Sequence, residues 1–356
     1  PNRVPTFVTD LITGATGHIG NVLVRQLLGR GRPLRALVRR GRAHPALDGL
    51  PVEIVAGDIL QPETLTTAMK GVEVVYHLAA HIGITPESAD LTTRVNLEGT
   101  QNVLRAARQA GIRRLVYASS IYAMRLPAAG VIDENCPFDV SAARGAYDRS
   151  KAAASLAVQE AAASGRDAVL VCPTAVTGPH DYQCSEAGRG IMYNMSPGIK
   201  FTVDGAYDFV DVRDVAAGMV LAAERSGPGQ VYILGGERLT VRQVARIIWD
   251  AAPGWHIGIH LPDWVADLAA AIAREMLFTD DEILGLSLAA AIHDIGKILI
   301  PFEILSKPGK LSDIEFDMVG RLPPWSSASS VNVLGWLPSI VRSPKWAGAG
   351  LAPAHQ

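Results

Sequence analysis

The feature that most constrains this chain is a glycine turn near its start. An apolar, strand-like run, Phe7–Thr13, passes directly into Gly14-Ala15-Thr16-Gly17-His18-Ile19-Gly20, and a helical pattern follows at once over Ile19–Leu28. A strand, a tight turn and a helix in that order offer the unpaired N–H groups and positive end of the helix to a phosphate. Gly14 permits the turn, Gly17 lets the backbone approach a pyrophosphate, and Gly20 lets helix and strand pack closely. The glycines recur every third residue rather than as G-x-G-x-x-G. Strand, turn and helix still agree, so the stretch from Gly14 through Thr16, His18 and Ile19 to Gly20 reads as a dinucleotide-binding turn.

The rest of the first half continues the alternation. Leu34–Val38, Val52–Ala56, Val72–Leu78, Arg114–Ala118 and Ala168–Cys172 read as strands; Leu65–Met69, Thr92–Ala110 and Tyr147–Ala163 read as helices. Such a rhythm predicts an α/β fold with a parallel sheet covered on both faces, a Rossmann-type doubly wound arrangement. After Gly178 the pattern loosens. The Gly/Pro/Asn-rich stretch 179–205 reads as loop-heavy, followed by a strand over Asp208–Asp214, a helix over Val215–Glu224, a strand over Val231–Leu234 and a helix over Thr240–Ala252. The expected organisation is a nucleotide-binding core over 1–178, a small substrate-binding lobe with returning core elements over 179–276, a short helical appendage over 277–320, and a poorly ordered Pro/Ser/Trp/Gly-rich tail over 321–356.

Composition removes several classes of function. A net charge of −2 gives no basic surface for nucleic acid or an acidic membrane. Cys136, Cys172 and Cys184 show neither paired nor metal-like spacing, which fits a reduced, cytoplasmic setting. No signal peptide is expected, because no basic start precedes a long apolar run. The apolar stretch Trp264–Ile272 is too short to span a bilayer and contains Asp267.

The second strand ends in Val38-Arg39-Arg40. Arginines at this place suit the 2′-phosphate of NADP(H), where an acid would favour NAD(H); a solvated basic turn is the alternative. NADP(H) is therefore preferred, with NAD(H) second. Asp58, after the third strand in Gly57-Asp58-Ile59, either accepts from an adenine amino group or serves as a turn or helix-cap residue. Tyr147 and Lys151 stand four apart on one helix and so on one face. A phenol is a weak acid or base at neutral pH; a neighbouring ammonium stabilises the phenolate and lowers its pKa. Ser119 and Ser120 close the fifth strand, the end at which a parallel sheet presents ligand-binding residues.

With these segments in place the chain resembles the extended short-chain dehydrogenases/reductases, or NAD-dependent epimerase/dehydratase family. The resemblance runs through Thr13–Gly20, Gly57-Asp58, His77-Leu78-Ala79-Ala80, Asn96–Thr100, Val116–Ser120, Tyr147–Lys151, Pro173–Pro179 and Asp208–Val215. It implies Tyr147 as general acid/base, Lys151 as its modulator and Ser120, rather than Ser119, as the hydroxyl that holds a carbonyl oxygen. It implies that Leu78, Ala79 and Ala80 line the cofactor cleft with Asp58 and Ile59, that Pro173, Thr174 and Val176 lie by the nicotinamide, and that Asn96 braces helix and strand. It also implies homodimers through the helices Thr92–Ala110 and Tyr147–Ala163. Two departures bear on substrate. The loop after Ser120 is shortened, and Cys172 stands where sugar-nucleotide enzymes of the family usually carry Arg. The first alters the substrate side of the site; the second weakens the sugar-nucleotide reading and, with the arginines after the second strand, favours an NADP(H)-dependent oxidoreductase (dihydroflavonol-reductase or hydroxysteroid-dehydrogenase-like) acting on a carbonyl or secondary alcohol of a small, partly apolar molecule. A sugar-nucleotide epimerase or dehydratase, and a non-catalytic NAD(P) sensor, are the alternatives. Ile121, Met124, Ile191, Met192 and Phe201 are either pocket or core.

A second resemblance covers about 284–319. His293-Asp294-Ile295-Gly296-Lys297, with Pro301–Leu311, is similar to part of the HD-GYP phosphodiesterases. An adjacent His–Asp pair can hold a metal when other helices complete the ligand set. No such set is present in the sequence, so His293 and Asp294 are only weak metal candidates, no metal is expected, and the segment reads as an inactive fragment.

Overall fold

The computed structural model describes residues 9–41, 44–83, 88–127, 131–141 and 145–262. The readings made for His293, Asp294, the helix after Asp263, the appendage and the tail lie outside the described residues.

In chain order the elements are β1 (Thr9–Thr13), α1 (His18–Gly29), β2 (Leu34–Val38), β3 (Glu53–Ala56), α2 (Pro62–Ala68), β4 (Val72–His77), α3 (Ala89–Thr93), α4 (Gly99–Gln109), β5 (Arg114–Ala118), α5 (Ala146–Ala163), β6 (Ala168–Pro173), β7 (Ala175–Thr177), α6 (Glu186–Met195), β8 (Gly198–Thr202), β9 (Ala206–Asp211), α7 (Val212–Arg225), β10 (Val231–Leu234), β11 (Glu237–Thr240), α8 (Val241–Ala251) and β12 (His256–His260). Seven strands form one sheet in the order β10-β6-β5-β4-β1-β2-β3, every pairing parallel. This is the doubly wound Rossmann-type sheet that the alternation predicts.

Side chains alternate across the sheet and feed two cores. Leu11, Val75, Leu115, Tyr117, Leu170 and Cys172 join Leu65, Val103 and Val158 of α2, α4 and α5 on one face. Ile12, Tyr76, Val116, Ala118, Val169 and Val171 join Leu23, Leu27, Val212 and Met219 of α1 and α7 on the other. Because both faces are dry, the strands read as continuous apolar runs.

Two expectations are corrected. The stretch 179–205 is not mainly loop: it holds α6 and β8. Ser185 caps α6 by accepting from the Gly188 N–H, and β8 pairs in parallel with β12. Of the residues that suggested loop, Pro197 and Gly198 lie where α6 gives way to β8, while Gly188 and Gly190 sit inside α6 itself. The helix expected over Thr92–Ala110 starts at Ala89 and is interrupted by a π-helical turn, Arg94–Glu98, between α3 and α4. β7 and β11, three and four residues long, pair with β9 in a separate three-stranded sheet and carry too few residues to show a period.

Candidate active site

The glycine turn is shaped by sterics. Gly14 has φ +74°, and a Cβ there would lie 2.6 Å from the Ala79 amide nitrogen. A Cβ on Gly20 would lie 2.1 Å from the Gly14 carbonyl oxygen, so helix and turn meet backbone to backbone. Gly17 differs: its Cβ would meet only that same oxygen, at 3.3 Å, which leaves its outer side bare. Gly17 caps α1 without a side-chain acceptor, and the first turn carries no acid. The N–H groups of His18, Ile19 and Gly20 thus point out of the helix start unpaired, as the first N–H groups of any helix must unless capped. A pyrophosphate fits such an end.

A strap that the sequence reading did not single out crosses this turn. His18 Nε2 donates to the Pro179 carbonyl at 3.0 Å, Asn21 Nδ2 to the His180 carbonyl at 3.0 Å, and Gln183 Nε2 to the Thr16 carbonyl at 3.1 Å. His180 and Cys184 both adopt left-handed backbone conformations, φ 66° and 49°. Gly178-Pro179 signalled a turn here; nothing in the sequence signalled that it returns to the turn after β1.

At the end of β2, Arg39 and Arg40 are exposed and make no hydrogen bond or ion pair among the described residues. Across from them Asp58 forms a turn, one carboxylate oxygen accepting from the Leu60 N–H at 2.9 Å. It is not a helix cap, since α2 starts at Pro62 after Gln61. Its second oxygen has no partner among the described residues. Ile59 is buried under Gly99. Leu78 and Ala79, half-buried, continue β4: the Leu78 N–H donates to the Thr13 carbonyl at 3.1 Å, and the Ala79 N–H to Thr13 Oγ1 at 3.2 Å. Ala80 is exposed.

The catalytic candidates meet at the carboxyl end of β5. Ser119 turns inward, its hydroxyl 2.6 Å from that of Ser155. Ser120 turns outward: its Oγ accepts from the Tyr122 N–H at 3.2 Å, and its side chain interacts with the Tyr147 phenol. Burial pushes the Tyr147 pKa up to about 12, against the pull of Ser120. Lys151 does not touch it. The ammonium donates to the Ala118 carbonyl and lies 4.5 Å from the centre of the Tyr117 ring, and burial brings its pKa down to about 7. Burial outweighs the other influences on the phenol, whose pKa is raised rather than lowered. In this arrangement desolvation governs both groups: it keeps the phenol neutral and makes the Lys151 ammonium easier to deprotonate.

Pro173 is buried, and Thr174 donates to Asp208 at 2.7 Å; Val176 is half-buried on β7. Met124 is core, 2% exposed, whereas Met192 is 63% exposed. No helix among the described residues is long and apolar enough to cross a membrane, and no group of three potential metal ligands occurs among them.

A phosphate-ready turn on β1–α1, free cations after β2 and a Ser–Tyr pair beside a buried lysine define a dinucleotide-binding oxidoreductase. The chain belongs to the NAD-dependent epimerase/dehydratase family, the extended short-chain dehydrogenases/reductases, whose model matches residues 11–235. It is similar to sterol demethylase protein B of Methylococcus capsulatus, 38% identical over 240 residues that cover 67% of this chain and 72% of the relative. It is similar to the 3-beta-hydroxysteroid dehydrogenase of Mycolicibacterium neoaurum, 31% identical over 270 residues, 68% of this chain and 70% of the relative. The UDP-glucose 4-epimerase of Thermus thermophilus, solved in complex with NAD, aligns with a TM-score of 0.60 at 26% identity, over 71% of this chain and 86% of that one. The chain is thus an oxidoreductase enzyme of an NAD-dependent family.

Proposed function

We propose that the protein is an NADP(H)-dependent reductase of a carbonyl group on a small, partly apolar molecule, with Ser120, Tyr147 and Lys151 as its catalytic residues. The observation that carries this reading is the Ser120–Tyr147 pair at the open end of β5, with the phenol held protonated up to about 12. A phenol paired with a strand-end serine can pass a proton to a carbonyl oxygen in reduction and take it back in oxidation; the reductive direction proposed here rests on the preference for NADPH.

Gly14 to Gly20 would hold the pyrophosphate, Arg39 and Arg40 the 2′-phosphate, Asp58 the adenine, and Leu78–Ala80, Pro173 and Val176 the walls of the cleft. When bound, NADPH supplies a hydride to the carbonyl carbon. Ser120 donates to the carbonyl oxygen, orienting it towards Tyr147. Tyr147 then delivers its proton to that oxygen as charge develops there. Lys151, held by the Ala118 carbonyl and the Tyr117 ring, would bind the nicotinamide ribose.

A partly apolar substrate is supported by Ile82 and Tyr122, 65% and 40% exposed, which follow the cleft wall and Ser120 in sequence. The hydroxysteroid dehydrogenase among the relatives is named for a substrate of this kind. Cys172, fully buried in the place of a charged residue, supports it over a sugar nucleotide.

Titration of the purified protein with NADPH and then NADH, followed by fluorescence and thermal shift, tests the cofactor. Tighter binding of NADPH, lost on Gly17→Val and reversed in preference on Arg39→Asp, is the expected result. Tighter NADH binding, unmoved by Arg39→Asp, overturns the NADP(H) assignment. Cofactor that stays bound through purification would point instead to an epimerase, which oxidises and re-reduces without release.

A further inference from the structure

We propose that His77 is a positioning residue whose Nε2–H tautomer joins the wall of the cofactor cleft to the helix carrying Tyr147 in one hydrogen-bond chain of fixed direction. The inference rests on the reading of that cleft and helix given above.

His77 ends β4 and is fully buried. Its Nε2 lies 3.0 Å from Thr100 Oγ1 and its Nδ1 lies 2.7 Å from Thr13 Oγ1. Counting protons settles the tautomer. Thr100 has one hydroxyl proton and uses it on the Asn96 carbonyl, at 2.6 Å. Towards His77 it can then only accept, so Nε2 carries the hydrogen. Thr13 in turn accepts from the Ala79 N–H at 3.2 Å, and its own proton is free for the bare Nδ1. The order is Ala79 N–H to Thr13 hydroxyl to His77 Nδ1, then His77 Nε2–H to Thr100 hydroxyl to Asn96 carbonyl. No donor in this line can reverse unless its neighbours reverse with it.

Asn96 carries the line onward. It sits in the π-helical turn, and its side chain accepts from the His81 N–H at 2.8 Å while donating to the His81 carbonyl at 3.0 Å and to Ser150 Oγ at 2.9 Å. Ser150 passes its proton to the Tyr147 carbonyl at 2.8 Å. The segment from Leu78 to His81 is therefore gripped at Ala79 by Thr13 and at His81 by Asn96. His77 is the group that links those two grips.

The surroundings keep the ring neutral. The groups packed about it are Thr13 of β1, Thr100 of α4, Tyr117 of β5, whose ring lies 5.5 Å away, and the Lys151 ammonium of α5 beyond that ring. None offers a counter-charge to an imidazolium. Burial, with Lys151 adding repulsion, brings the His77 pKa down to about 3.

The test begins with the unmodified full chain. Nitrogen-15 NMR of histidine-labelled protein, with His77 assigned by its absence in His77→Gln, should show one neutral Nε2–H ring that does not titrate between about pH 5 and 9. An Nδ1–H ring, or titration near the usual histidine value, overturns the proposal whether or not any cofactor binds. For function, His77→Phe keeps the volume and removes both hydrogen bonds, whereas the amide of His77→Gln restores a donor and an acceptor. We expect His77→Phe to raise the Kd for NADPH about tenfold and lower kcat at saturating NADPH, with His77→Gln recovering most of both. Kd and kcat within twofold of the parent in His77→Phe overturn it. If the parent binds no nicotinamide cofactor, the functional reading fails and the NMR result still decides the hydrogen-bond chain.

Discussion

The glycine turn and the end of β5 sit at the same carboxyl edge of the sheet, with β4 between them, and are built on opposite principles. The turn is a steric object: Gly14 and Gly20 leave no room for a side chain, and the groups it would offer a ligand are backbone N–H groups that need no charge to be in place. The end of β5 is an electrostatic object, in which the half-buried Tyr147 and the buried Lys151 are each pushed towards the neutral form, to about 12 and about 7. One region is at ease without a ligand. The other carries a desolvation cost that a bound cofactor and substrate would relieve. The difference teaches where stability and activity should separate under mutation.

The largest separation is expected at Tyr147. Tyr147→Phe removes the hydroxyl proposed to supply the proton, and a positioned acid is worth about 10²–10⁴ in rate. Turnover should fall by that order while NADPH affinity, measured by fluorescence titration, stays within about twofold. Unchanged turnover would remove the catalytic half of the comparison. Ser120 and Ser119 sharpen it next. Ser120→Ala should lower kcat about a hundredfold, the loss typical of one donor to a developing oxyanion. Ser119→Ala removes inward contacts to Ser155 and Cys172, so kcat should hold and stability fall by about 1 kcal/mol, read by chemical denaturation.

Within the turn the two halves of the contrast meet. Gly20→Ala forces a methyl against the Gly14 carbonyl and should cost about 1–3 kcal/mol of stability. Gly17→Ala places its methyl in the space left for the ligand. Its Tm should stay near that of the parent, and its NADPH affinity should drop about tenfold, the worth of roughly one hydrogen bond. Equal losses of stability in the two variants would mean that Gly17, too, is merely a packing glycine.

The steric region was the more legible of the two in the sequence, and the reason is physical. A turn that tolerates only glycine must show its glycines, and strands buried on both faces must show apolar runs, so β2 and β5 match the sequence reading residue for residue, as does the half-buried edge strand β10. The pair Tyr147 and Lys151 was visible from helical spacing alone. Its electrostatics were not, because spacing does not report that Lys151 turns to Ala118 and Tyr117, or that burial outweighs the charge. The strap of 179–183 and the His77 chain were hidden for the same reason: both depend on contacts between residues far apart in sequence, such as Asn21 with His180 and Thr13 with His77. α6 and β8 were missed because the Gly and Pro residues around them outweigh a short amphipathic signal.

The smallest effect tests the idea of a stored cost directly. Lys151 is 3% exposed, and its pKa lies near 7 instead of 10.5. Below about pH 7 both folded and unfolded chains hold the proton, and the folded one bears the full penalty of a buried charge. Between about pH 7 and 10.5 the unfolded chain binds more protons than the folded one, so stability rises with pH through that window. Lys151→Met removes the titrating group and keeps the length of the side chain. In thermal melts without ligand the variant should therefore be more stable than the parent by a few degrees at pH 6, with the gap closing as pH rises from about 7 to 10. A gap of opposite sign would mean that the contacts to Ala118 and Tyr117 outweigh desolvation, and that the catalytic end of the cleft is as much at ease as the glycine turn.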